Sequence, residues 1–349
     1  DCDGCNYLIE ANWPPVSSET LNIISIEDHS LCNMKCTYCS PTYYGGLPPK
    51  YEVNWDSFRA IVDDYCYFAW GGGEPTIRPD FAELFTFLSD DFAAKSNHKV
   101  FTNCLTYSPA LEKLIGNGRL QIITSIDAGT PETFRLVRGV PGIEKVFRNV
   151  SRYYQTNPSG VTLKYILNHQ NSDVENFYGF ADLINKYQLS DCTILISTDF
   201  NGDALSQGQK NKAFELYKIL TSSGIMRIIF DDHFMKRSKN MSLISSTQSL
   251  SFNIEAERGF VICGTGSHAE LLTERVKALY PEASVVYAEV SQNEKSKSQG
   301  DVIPYEALMS SHITEYILIG SITFASEIIA RLEHLQVDRS RILPDICLL

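Results

Sequence analysis

The stretch "LQIITSIDAGTPETFRLVRG", residues 120–139, carries the fold in miniature. "LQIITSID" (120–127) is an apolar run rich in β-branched residues, which reads as a strand. A short turn follows, and a helix is expected over 130–154. The same alternation recurs on both sides. Further strands are expected at "NIISIE" (22–27), "YCYFAW" (65–70), "HKVFTN" (98–103), "TLKYIL" (162–167) and "CTILIST" (192–198). The helices between them are expected near 54–64, 79–89, 108–116, 173–187 and 209–223. Strands that alternate with helices imply a parallel sheet with crossover connections. Six such units in about 200 residues suit an α/β domain shaped as an open, partial (βα)6 TIM-like barrel, with its chemistry at the C-terminal strand ends.

Outward from this core, residues 1–20 form an irregular segment containing Pro14 and Pro15. The barrel-like domain covers 21–230, with "MRIIF" (226–230) as its closing run. Residues 231–257, rich in Ser, Asn and Lys, read as a linker. A second alternation occupies 258–349, starting at "GFVICGTGSHAELL" (259–272), with strands expected at "SVVYAEV" (284–290), "YILIG" (316–320) and "SRIL" (340–343). This part reads as a small Rossmann-like α/β domain.

The chain has 349 residues and a net charge of −12. An acidic chain without a long Lys/Arg run argues against nucleic acid as its partner. No unbroken apolar run is long enough for a membrane span, and no secretory signal is present. The chain opens on Asp1 rather than Met, which suggests a piece of a longer polypeptide. In a chain of this length, ten cysteines suggest metal binding plus buried thiols.

Three of the cysteines crowd into "CNMKCTYC": Cys32, Cys36 and Cys39. Each iron of a [4Fe–4S] cubane wants one external ligand. Three thiolates leave the fourth iron open to a small molecule. A zinc site completed by a remote residue is the alternative, and it makes a non-catalytic zinc-binding interaction protein a rival reading. "GGGEP" (71–75) directly follows the second strand. Its glycines permit close backbone approach, and Glu74 supplies an acceptor for an ammonium group.

The C-x3-C-x2-C triplet with Tyr38 before its last cysteine, "GGGEP", and "TSIDAGTPETFRLVRG" (124–139) together resemble the radical S-adenosylmethionine (SAM) superfamily. The resemblance covers about residues 21–225. It implies that Cys32, Cys36 and Cys39 hold a [4Fe–4S] cluster whose open iron is chelated by the amine and carboxylate of SAM. It further implies electron donation, cleavage of the sulfonium bond and hydrogen abstraction by a 5′-deoxyadenosyl radical. By the same resemblance, Gly71, Gly72, Gly73 and Glu74 hold the SAM amine, Ser125 contacts the ribose region and Arg138 pairs with the carboxylate. Asp127 and Arg135 are expected to be structural. Thr102–Asn103 also matches, with Cys104 where the family often has Gly. Lys164 and Asn168 are placed for the ribose.

Other features have plainer readings. Cys66, Cys104, Cys192 and Cys263 read as core thiols. Cys2 and Cys5 are half of a metal site or a terminal thiol pair. Asp28 and His29 are expected to bond within their loop. "CGTGSHAELL" (263–272) resembles the Gly-rich turn of nucleotide-binding domains, with Gly264, Gly266 and Glu289 in the expected places. The segment also resembles small Rossmann-like domains of sugar-modifying enzymes, and that resemblance implies a carbohydrate or nucleotide-sugar substrate, with modification of a ribosomally made peptide as the alternative. The remaining expected partner is an electron donor such as flavodoxin or ferredoxin. A cytoplasmic location is the expectation, since no secretory signal is recognised and the cluster must be reduced.

Overall fold

The computed structural model describes residues 21–39, 46–48, 54, 59, 61–92, 94–199, 205–237, 258–289, 302–309, 315–321, 325–338 and 341–343. Cys2, Cys5, Cys347 and the tyrosines of "PTYYGG" lie outside them.

Seven strands form one parallel sheet in chain order. They are β1 (Leu21–Ile26), β2 (Val62–Trp70), β3 (Asn97–Phe101), β4 (Leu120–Ser125), β5 (Val161–Leu167), β6 (Thr193–Thr198) and β7 (Ile228–Phe230). The crossover helices are α1 (Phe81–Thr86), α2 (Pro109–Gly116), α3 (Pro131–Arg138), α4 (Ile143–Thr156), α5 (Val174–Lys186) and α6 (Gln207–Ser222). The sheet is open, since β1 and β7 are its two edges. "MRIIF" supplies a seventh strand, one more than a (βα)6 core.

Two helix expectations need correction. Residues 62–64, expected at the end of a helix, are the start of β2. The single helix expected over 130–154 is two. Gly139 ends α3 with a left-handed φ of +75° and donates its N–H to Arg135 O. Pro141 and Gly142 follow, and α4 starts on a new axis.

Side-chain alternation sets the layers. In α4, Ile143, Val146, Phe147, Val150 and Tyr153 recur at three- and four-residue spacing, and all are buried. In β5, Tyr165 packs on Phe177 and Phe180 of α5, with ring centroids 6.0 and 5.0 Å apart. The odd residues of β5 therefore face the helices. Thr162, Lys164 and Ile166 face the concave side.

After β7 comes α7 (Asp232–Arg237), at the head of the stretch read as a linker. A second, four-stranded parallel sheet follows in the order β10-β9-β8-β11. Its elements are β8 (Phe260–Cys263), α8 (Ser267–Leu279), β9 (Val285–Glu289), β10 (Val302–Pro304), β11 (Tyr316–Ile319) and α9 (Ala325–His334). β10 was not expected. The described part of "SRIL", residues 341–343, contributes one bridge, Ile317 to Ile342.

The two sheets share an apolar seam. Leu195 of β6 and Ile229 of β7 are buried in one cluster with Val261, Ile317, Ile328 and Leu332 of the second unit. Arg227 pairs with Glu333, and Arg275 donates to Met235 O at 3.1 Å. The second unit thus covers the concave face of β6 and β7 as a packed wall. Among the described residues, no helix is long and apolar enough to cross a membrane.

Candidate functional site

The site is built at the C-terminal ends of β1 to β5, where loops bring distant motifs together. The cysteine loop, 27–39, leaves β1 and runs along the Gly71–Glu74 turn. Gly71 N donates to Ile26 O at 3.0 Å, Gly73 N to His29 O at 2.9 Å and Glu74 N to Leu31 O at 2.6 Å. The glycines serve this contact. A methyl group on Gly73 would lie 2.0 Å from Leu31 O, and one on Gly72 (φ +82°) would lie 2.6 Å from His29 O. The backbone that makes this close approach is the chain's own cysteine loop.

The far side of the loop rests on the end of α3. Lys35 N donates to Arg138 O at 3.0 Å, and Thr37 N donates to Val137 O at 2.9 Å. These carbonyls belong to the last turn of the helix and have no intrahelical partner. The cysteine loop therefore caps α3. A methyl on Gly139 would lie 2.5 Å from Lys35 O, so the "RG" pair is also part of this joint.

The thiols fall into two populations. Cys66, Cys104, Cys192 and Cys263 are fully buried. Burial pushes the Cys104, Cys192 and Cys263 thiols up to about 12. Cys32 is exposed, and Cys36 and Cys39 are half-buried. A hydrogen bond from Cys39 brings Cys36 down to about 7, and the same bond raises Cys39. Cys32 Sγ accepts from Met34 N at 3.4 Å and from Asn103 Nδ2 at 3.8 Å. No group of three or more His, Cys, Asp or Glu converges on a single ion among the described residues. A cubane does not ask for that convergence, because each thiolate takes its own iron. One loop with three accessible thiols and N–H groups directed at sulfur fits such a cluster.

Glu74 is 1% exposed. Its Oε1 accepts from Thr102 Oγ1 at 2.7 Å, Thr76 Oγ1 at 2.5 Å and Thr76 N at 3.2 Å, and its Oε2 accepts from Asn103 N at 2.6 Å. Burial raises its pKa, against these donors. A carboxylate has about four lone-pair sites, so Oε2 keeps one for a further donor. Thr102 and Asn103 are thus tied to Glu74. Cys104, where the family often has Gly, adopts a left-handed φ of 54°.

The second knot is Tyr38, Asp127 and Arg138. Asp127 is completely buried at a φ of 59°. Its Oδ2 accepts from Tyr38 Oη at 2.6 Å and from Arg138 Nη1 at 2.9 Å, and its Oδ1 accepts from Ile166 N at 2.7 Å. Arg138 also bonds Tyr38 Oη and reaches Met34 Sδ at 3.4 Å. Burial works against the guanidinium charge, but Tyr38, Cys36 and Asp127 keep it protonated. Asp127, expected to be structural, is the hub that joins the cysteine loop to β4, α3 and β5. Its role has no local sequence signal, because its partners lie up to 89 residues away.

The remaining residues divide. Ser125 ends β4 beside Lys164 in register. Asn168 is 6% exposed; its Oδ1 accepts from Gln170 N at 2.8 Å, and its Nδ2 has no partner among the described residues. Lys164 turns toward β7 and pairs with Asp231. Arg135 is exposed on α3. Asp28 pairs with Arg78, with its two oxygens at 2.7 and 2.6 Å from Nη1. His29 lends its carbonyl to Gly73.

Residues 26–181 match the model of the Radical SAM superfamily. This segment is similar to the domain that defines that superfamily. The superfamily uses a [4Fe–4S] cluster and SAM. Among curated proteins, the chain is 26% identical over 165 residues to the mycofactocin maturase MftC of Mycobacterium tuberculosis, covering 45% of this chain and 40% of that protein. It is 28% identical over 156 residues to the GTP 3′,8-cyclase of Vibrio cholerae, covering 41% and 44%. The chain thus spans less than half the length of these relatives. A solved structure, native anSMEcpe with bound AdoMet and the Cp18Cys peptide, aligns over 60% of this chain and 63% of that one. The alignment has a TM-score of 0.45 and 17% identity.

Proposed function

We propose that Cys32, Cys36 and Cys39 hold a [4Fe–4S] cluster with one open iron, and that SAM binds beside it along the β2 to β5 ends. The observation that carries this reading is the loop of three accessible thiols, clamped between the Gly71–Glu74 turn and the end of α3. When bound, the cofactor pair supplies a 5′-deoxyadenosyl radical that takes a hydrogen atom from the substrate. The chain's own part is placement. The last lone pair of Glu74 accepts from the SAM amine beside Gly71–Gly73. Arg138 faces the carboxylate, and Tyr38 and Asp127 hold it in orientation. Ser125 and the unpartnered Asn168 amide serve the ribose.

The proposed substrate is a ribosomally made peptide, the reading that a maturase among the relatives favours. A second reading takes a nucleotide or nucleotide-linked substrate. It draws on the GTP cyclase relative and on the second sheet, whose β10-β9-β8-β11 order is the 3-2-1-4 order of a Rossmann-like half. The proposed partners are therefore a peptide or small-molecule substrate and a protein electron donor.

The test is anaerobic reconstitution with iron and sulfide, then reduction and assay for 5′-deoxyadenosine. The reading expects about four irons and four sulfides per chain and product formation that is lost in Arg138→Ala. Stoichiometric zinc without sulfide would replace it with the zinc-protein alternative.

A further inference from the structure

We propose that Lys164 and Asp231 form a substrate-binding pair that reads an amide edge, a group presenting one N–H beside one C=O. The proposal rests on the radical SAM reading above and concerns the part of the mouth that reading leaves unassigned.

Lys164 Nζ lies 3.0 Å from Asp231 Oδ2, and the two side chains are 17% and 10% exposed. Lys164 is on the concave side of β5, and Asp231 immediately follows β7. The pair therefore bridges over β6. Its register neighbours Leu195 and Ile229 are buried in the apolar seam with the second unit. Lys164 and Asp231 thus stand as a polar layer above an apolar floor, across the mouth from the thiols. This draws Lys164 away from the ribose role that the sequence suggests.

The hydrogen-bonding capacity of the pair is only half used. The ammonium has three donors and spends one on Asp231. The carboxylate has about four acceptor sites. Oδ1 takes Phe234 N at 2.8 Å, which caps α7, and Oδ2 takes Lys164. Neither group has another polar partner among the described residues. The pair as a whole is neutral, so it does not call for a charged ligand. It offers a donor beside an acceptor. A trans backbone amide points its N–H and C=O in opposite directions and fits poorly. A primary carboxamide, as in Asn or Gln of a peptide, fits. So does the lactam edge of a purine base.

The experiment uses the full chain, reconstituted with its cluster and saturated with SAM, and ligand-observed NMR. The probes are N-acetyl-glutamine N-methylamide against its glutamate counterpart, and guanosine against adenosine. The expectation is that one amide-bearing probe binds at least about tenfold more tightly than its counterpart, as even one hydrogen bond to a charged group implies. The pair of probes that responds identifies the source as peptide or nucleobase. Lys164→Met and Asp231→Asn should both abolish the preference while SAM affinity stays unchanged. Asn at 231 still caps α7, so the fold is kept. The proposal is overturned if SAM binds but no amide probe is preferred, or if Lys164→Met retains the preference. Failure of the wild type to bind SAM at all would overturn the radical SAM reading, and this proposal with it.

Discussion

Two Gly-rich turns follow strands in this chain, and they do different things. In Gly71–Gly73, after β2, each of the last two glycines is pressed against carbonyls of the cysteine loop. In Gly264–Gly266, after β8, Gly264 has a φ of +114° and its nearest neighbour is 3.3 Å from where a methyl would sit. Gly266 has nothing within 4 Å. The first turn is a joint between two parts of a site. The second is a turn that needs its glycine at Gly264 and has room to spare at Gly266, at the head of α8. The same letters thus report a close approach in one place and only a turn in the other. The surrounding chemistry follows suit. Glu74, Asp127, Arg138, Lys164 and Asp231 gather at the C-terminal edge of the seven-stranded sheet. The four-stranded sheet is chiefly an apolar wall beneath β6 and β7.

Substitutions can break this contrast in order of expected effect. Asp127→Ala leaves the Arg138 guanidinium buried and unpaired, which should cost about 3–5 kcal/mol. It should also lower iron incorporation, because the cysteine loop loses its tie to β4. Thermal melting and iron analysis check both. In the wall, Leu332→Ala empties a fully buried site and should cost about 2–5 kcal/mol. A single melting transition, shifted as a whole, would mean that the wall and the barrel unfold together. Two transitions would mean that the seam is weaker than its packing suggests. Gly73→Ala forces the cysteine loop off Leu31 O and should cost about 1–3 kcal/mol, with loss of bound iron. Gly266→Ala should stay within about 0.5 kcal/mol and leave iron content unchanged. Equal effects of the two glycine variants would erase the distinction drawn between the turns.

Much of the barrel was legible because its signals are local. β-branched runs such as "LQIITS" and "TILIST" give strands at almost the expected positions. The break in the 130–154 helix was legible too, in Gly139, Pro141 and Gly142, but the apolar spacing on both sides masks it. The three cysteines stand out by type and spacing, and Glu74 and Arg138 by the family resemblance. What they touch does not. Glu74 meets Asn103 across 29 positions, and Lys164 meets Asp231 across two strand crossings. Such contacts depend on strand order and register, which no single segment encodes. Asp127 shows the cost of local reading. It looks like a turn residue, yet it accepts three hydrogen bonds at the centre of the site.

The central claim is that three thiolates leave one iron open for SAM. Electron paramagnetic resonance of the reconstituted, dithionite-reduced protein, recorded with and without SAM, tests it most directly. The account predicts a [4Fe–4S]+ signal that changes when SAM is added and that is absent in Cys36→Ala. A cluster signal that SAM leaves unaltered would contradict it, and would reduce the cysteine loop to a scaffold.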